Sequence, residues 1–297
     1  MKIKFYMAAM LAVALMSCKN EAKTDTNGKA DTTKGAAATG DTPAENAGEP
    51  AGEASADAVP AEGQILLRLN YPKGFEQQLI YNVNTTGEGM KAKVGMTMSV
   101  KVVSVKEGTA PVYGFQSAIT GMKMDSEAMG QKIVYDSSKK AAVMSEQEKM
   151  MDKQLKEVLN QPITFSLDSK GALQGKMQFK NKSGENQEQP FDVNNYQIAF
   201  PDKPVGVGSV WTKDVKNEQM GGTVKNTYTV KEITDDTVVV ALESVIPPVP
   251  GTDKKTTLTG SYTLDRTTGM VLKGNIKGKM ATMGATIDMT FTGKRVK

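Results

Sequence analysis

The sequence predicts a mainly β protein: a curved antiparallel sheet or half-barrel, assembled from two repeated meander halves. Three observations predict it. Apolar and polar residues alternate with period two through most of the chain after residue 64, the pattern of half-buried strands. Turn signals built on Gly and Asp punctuate these runs. Two stretches of the second kind match one another, which points to duplication. One helix near 146–159 interrupts the first half, and a disordered tether precedes the domain.

The chain opens with Lys2 and Lys4, followed by an uninterrupted apolar run from Phe5 to Leu15. Eleven apolar residues are too few to cross about 30 Å of hydrocarbon as a helix, which takes roughly 20. Residues 1–17 therefore read as an export signal. Leu15-Met16-Ser17-Cys18 resembles the lipobox of bacterial lipoproteins. The resemblance implies cleavage between Ser17 and Cys18, and acylation of the Cys18 thiol. Cys18 is the single cysteine of the chain. Each buried methylene adds about 0.8 kcal/mol, so two or three chains anchor far more firmly than one. Lys19 follows Cys18, where an Asp is associated with inner-membrane retention in some Gram-negative bacteria. The expected location is thus the cell envelope, lipid-anchored, with the outer membrane favoured and the periplasmic or surface face left open.

Residues 18–63 form the lipidated Cys and its tether. From 19 to 63 there is no Leu, Ile, Phe, Tyr or Trp. Such a segment buries too little apolar surface to offset its ordering entropy. As a coil it spans about 35–40 Å root-mean-square, enough to hold a domain clear of lipid headgroups. It carries four lysines against nine carboxylates, so the body 64–297 holds a net +7. The basic residues are scattered rather than clustered, which favours a solvated face over an anion-binding one. Nucleic acid is not an expected partner.

The body 64–297 is expected to be one β-rich globular domain, with repeat halves at about 75–180 and 200–297. Phe75, Leu79, Tyr81 and Val83 alternate with polar residues; Val94, Met96, Met98, Val100 and Val102 share one face of a longer run. Further strands are expected at 112–120, 132–136, 163–168, 172–179, 223–233, 237–246, 256–264, 270–280 and 284–293. The helix is marked by Ser145 and Glu148, a capping box, by Met151, Leu155, Val158 and Leu159 at helical spacing, and by Pro162 as its stop. Phe165-Ser-Leu-Asp168 through Gly171 to Gly175 parallels Tyr262-Thr-Leu-Asp265 through Gly269 to Gly274. In each, Asp bonds the backbone ahead of it and Gly supplies a positive φ. Upstream, Met98 to Val105 with Phe115 to Ile119 resembles Tyr228 to Ile233 with Leu242 to Ile246.

A lipobox, an acidic tether and two halves ending in Leu-Asp hairpins together resemble a family of uncharacterised bacterial lipoproteins with a domain of unknown function. The resemblance implies a curved sheet loosely similar to the lipoprotein-carrier fold of the Gram-negative envelope, which holds acyl chains in an open half-barrel. It implies no catalytic residues.

Composition narrows the chemistry. Histidine is absent, which removes a Ser-His-Asp triad and the commonest general base. A lone cysteine builds neither an intramolecular disulfide nor a cysteine zinc site. Ser-Lys pairs at Ser138-Lys139 and Ser169-Lys170 sit in turn-like stretches. Gly206-Val-Gly208 follows a proline-rich turn, not a strand feeding a helix, so it is a poor nucleotide loop. Trp211 reads as an anchor of a second sheet's core. Asp125, Glu127, Asp136 and Asp265 are candidates for a carboxylate hydrolase, the last-ranked function.

The sequence therefore predicts no enzyme, no cofactor and no metal. The favoured function is a membrane-anchored binder of a lipid or protein ligand; the alternative is a scaffold lipoprotein of an envelope assembly. The suggestive residues are methionines: Met96, Met98, Met122, Met124, Met283 and Met289 as an apolar groove. Flexible thioethers suit such surfaces. Core filling and soft-metal ligation are the competing uses.

Overall fold

The computed structural model describes residues 60–180, 186–187, 198–217, 222–248, 254–280 and 284–296. The export signal, Ser17, Cys18, nearly all of the tether and Met283 lie outside them. Thirteen strands form one antiparallel sheet: β1 (Glu76–Gly87), β2 (Met90–Lys106), β3 (Val112–Ala128), β4 (Gln131–Asp136), β5 (Ile163–Asp168), β6 (Gln178–Lys180), β7 (Asn186–Gln187), β8 (Val210–Asn217), β9 (Gly222–Ile233), β10 (Thr237–Ile246), β11 (Thr256–Asp265), β12 (Val271–Met280) and β13 (Ala285–Arg295). Their order is β7-β6-β5-β3-β2-β1-β13-β12-β11-β10-β9-β8, with β4 on β3 off this path. The two meanders are fused where the first strand meets the last, β1 pairing β13 from Gln77↔Arg295 to Thr86↔Thr286. The sheet stays open: among the described residues β7 and β8 are its edges.

Curvature has local causes. Register shifts interrupt β2–β3 at Thr97/Met98 and Val102/Ser104, β9–β10 at Val239/Val240, and β11–β12 at Thr263/Leu264. Such bulges bend the strand that carries the extra residue. Glycines permit tight approach on the inner face. A Cβ on Gly274 would lie 2.6 Å from Phe291 Cε2, so the ring is laid over bare backbone.

Alternation then sorts the side chains. Along β10, Val238, Val240, Leu242 and Ile246 are buried; on β11 Leu264 and Tyr262 face Val238 and Val240 in register, and the buried Leu258 faces Ser244. They join Val230, Tyr228, Ile276 and Phe291 in the main core. Trp211 lies in this same single sheet, not in a second one. It stacks on Tyr228, centroids 5.2 Å apart, and its Nε1–H donates to Ala199 O at 2.8 Å. Burial pushes the Tyr228 hydroxyl up to about 12.

Two lead-in segments, 64–75 before β1 and 198–209 before β8, cross the inner face. They touch through the bridge Ile65↔Val205. Each rests on the hairpin turn of the other half. Asn70 N–H donates to Thr268 O at 3.1 Å, and Phe200 N–H donates to Lys170 O at 3.0 Å. Asn70 and Phe200 stand 130 positions apart, the same offset that relates Met98 to Tyr228. The likeness of the halves thus extends to the lead-ins, each reaching the other half's turn, while Leu69 N–H also donates to Ser169 O of its own half at 2.7 Å. The turns match too. Asp168 Oδ1 accepts from Lys170 N and Ala172 N at 2.9 and 2.8 Å; Asp265 Oδ1 accepts from Thr267 N and Thr268 N at 3.1 and 2.7 Å.

The helix, α1, spans Glu146–Leu155, shorter than the expected 146–159. Its capping box is formed: Glu148 N–H donates to Ser145 Oγ at 3.2 Å and Ser145 N–H to Glu148 Oε2 at 2.9 Å. The chain continues in turns to Asn160, whose φ of +62° ends the helical path before Pro162 acts. The expected strand 172–179 also shrinks. Leu173 makes only a bridge to Leu167, and pairing resumes at β6.

Candidate functional site: an apolar slot on the inner face

The inner face of the first half carries a hollow. A partly open cavity of about 170 Å³ lies against β1, β2, β3, β5 and β13, with the lead-ins opposite. Its floor can be followed row by row through the register. Gln77, Val100 and Ser117 are partners in one row, and Leu79, Met98 and Ile119 in the next. Tyr81 with Met96, then Val83 with Val94, make the third and fourth. Six residues of strand separate Gln77 from Val83, about 20 Å at about 3.4 Å per residue.

The opposite wall is Leu69, Tyr71, Ile198 and Phe200 from the two lead-ins, with Gly171 and Gly269 from the turns. Burial raises the Tyr71 hydroxyl far above its ordinary value, so it stays neutral at any working pH. Apart from Gln77, Ser117 and the two glycines, the lining is aliphatic, thioether or aromatic, and it contains no Lys, Arg, Asp or Glu.

Helix α1 covers the face beside the slot. Met151, Leu155 and Leu159 pack on Met122, Met124 and Tyr135, and the cluster shares Val94 and Ile119 with the slot lining. Tyr135 O–H donates to the buried Asp152 carboxylate at 3.1 Å. The six sequence-selected methionines therefore separate. Met96, Met98 and Met289 line the slot. Met122 and Met124 occupy the same sheet face but are sealed under α1, at 5 % and 3 % exposure. Met283 falls outside the described residues.

The carboxylates do not meet in the slot. Asp125 faces Lys132 at 3.7 Å with both groups exposed, and Asp265 holds its turn. Glu127 is exposed. Asp136 accepts from Ser138 Oγ and N at 2.6 and 2.9 Å and pairs with Lys123 at 3.0 Å. Ser138 above all, with Lys123, lowers its carboxyl from 3.8 to about 2. A lowered folded-state value means stabilisation present above the unfolded value and lost as pH falls. Asp136→Asn should therefore flatten the acid limb of unfolding between about pH 4 and pH 2, measured by urea midpoints across that range. Among the described residues no group of three His, Cys, Asp or Glu side chains is placed to hold a metal, and no helix is long and apolar enough to cross a membrane.

Gln77 and Ser117 escaped the sequence reading. Gln77 stands in phase with Leu79, Tyr81 and Val83, and a polar residue at an apolar parity was the available signal.

An open antiparallel shell with an apolar, uncharged slot on its inner face is the class of protein these features define. Residues 173–295, from the bridge after β5 through β13, match the model of a family of unknown function, DUF6263. No curated protein matches the chain. A solved structure described as showing lipid–protein interactions in lipovitellin is similar, with 9% identity and a TM-score of 0.46. The similarity covers 77% of this chain and 26% of that one, so the chain spans about a quarter of its length.

Proposed function

We propose that this protein is a non-enzymatic binder of an apolar ligand, held in the cell envelope by acyl chains on Cys18. The observation that supports the binding role is the uncharged slot of about 170 Å³ on the inner face. An engineered apolar cavity of about 150 Å³ in another protein stays dry and takes up benzene. Whole small-molecule pockets run to about 300–1,000 Å³, so this slot suits one narrow chain better than a bulky ring system. Met96 and Met98, with Leu79 and Tyr81 across from them in register, give the floor pliable side chains. The anchor rests on the Leu15-Met16-Ser17-Cys18 sequence; the outer membrane is its proposed address.

The binding role is tested by titrating an environment-sensitive fluorescent probe with a long alkyl chain and no charged group into the purified protein. Wild type should bind it, and Met98→Arg should weaken binding at least tenfold, because a cation buried without a partner is strongly disfavoured. Ile80→Arg, on the opposite side of β1 where Ile80 is exposed, should bind as wild type. Equal binding by all three proteins refutes the slot as the site. The anchor is tested separately: Cys18→Ser should move the protein from the membrane fraction to the soluble one.

A further inference from the structure

One end of the slot carries two polar side chains, Gln77 and Ser117, each with an oxygen able to accept. Gln77 is 8 % exposed, and its side-chain oxygen Oε1 is buried with no hydrogen-bond partner. Ser117, at 2 % exposure, sits in the same row across Val100. Its hydroxyl proton is committed to Ser99 O at 2.9 Å, so what its oxygen still offers is a lone pair. Both atoms accept. A buried acceptor left unsatisfied costs free energy, and native proteins leave few of them. This one lies at the edge of a cavity otherwise lined by hydrocarbon and rings.

Building on the proposed apolar-ligand role, we infer that the slot takes a single-chain amphiphile with an uncharged hydroxyl head, the head donating to Gln77 Oε1 and the chain running past Met98 and Met96 toward Val83. Three constraints converge on that class. The unpartnered atom calls for a donor, which an ester, ether or ketone head cannot supply. The lining offers no cation, so an ionised carboxylate or phosphate would be desolvated without a counter-charge. The polar row stands at one end of about 20 Å of apolar floor, which orients an extended chain head-first toward Gln77.

The test compares 1-hexadecanol with its methyl ether, two ligands of nearly equal hydrocarbon that differ in the donor. Each displaces the uncharged fluorescent alkyl probe from the full-length purified protein. The alcohol should bind about fivefold to tenfold more tightly than the ether, the ratio set by one net hydrogen bond of ordinary strength. In Gln77→Leu that ratio should collapse toward one. This substitution removes an unsatisfied buried acceptor, so an unfolding midpoint at or above wild type will show that the variant is folded. A wild-type ratio near one, or a ratio unchanged in Gln77→Leu, overturns the inference while leaving the slot as an apolar site. Failure of every ligand, the uncharged fluorescent alkyl probe included, to bind wild type overturns both this inference and the functional reading beneath it.

Discussion

Gly269→Ala should lower the unfolding midpoint by roughly 6–12 °C, from a loss of about 3 kcal/mol and about 2–4 °C per kcal/mol for a domain of this size. Two penalties act together. Gly269 has φ +69°, a conformation that costs a side-chain-bearing residue about 1–2 kcal/mol. Its added Cβ would also lie 2.5 Å from Arg68 O and 3.0 Å from Phe200 Cζ. The carbonyl belongs to a lead-in held by the Asn70–Thr268 hydrogen bond, so relief requires moving that whole segment. Gly284→Ala provides the comparison. Gly284 has φ +61° but nothing within 4 Å of its virtual Cβ, so it should show the conformational penalty alone. Differential scanning calorimetry of the three proteins reads both quantities. Equal loss in the two variants would mean that the lead-in does not press on the turn.

Leu264→Ala should cost about 3 kcal/mol, within the range of about 2–5 found for Leu truncation in well-packed cores. Leu264 is fully buried and pairs with Val238 on one side and Val271 on the other. Sheet backbone on both flanks leaves the site little freedom to collapse into the void. Urea unfolding should show a lower midpoint with an unchanged slope, the signature of lost stability without a change in exposed area. Leu272→Ala is the contrast. Leu272 is skipped in the β11–β12 register and only partly buried, and its loss should be far milder.

Much of this architecture was legible from residue periodicity. Val94, Met96, Met98 and Val100 alternate because one side of β2 meets the interior, and the capping box at Ser145 and Glu148 marked the start of α1 to the residue. The hairpin likeness at Asp168 and Asp265 revealed the duplication. What escaped were features set by contacts distant in sequence. Periodicity places Met122 and Met96 on one face, but the helix arriving between β4 and β5 decides that one is sealed and the other left lining a cavity. The crossed lead-ins had no local signal either: nothing near Asn70 announces a hydrogen bond to Thr268. The strand expected at 172–179 failed because alternation is a property of side chains. Pairing needs a neighbouring backbone, and at Leu173 it reduces to one bridge. The slot's chemistry was half visible, its methionines conspicuous and its single amide easily passed over.

The union of the first strand with the last has a consequence for how the chain comes into being. Gln77 finds its partner in Arg295, so the central seam of the sheet waits until more than two hundred further residues have been made. The cover over the first meander leans on a turn made nearly two hundred residues later. Contacts so distant in sequence form slowly, because loop closure must precede their reward. A growing chain of this design holds its first meander without that seam until β13 has been made.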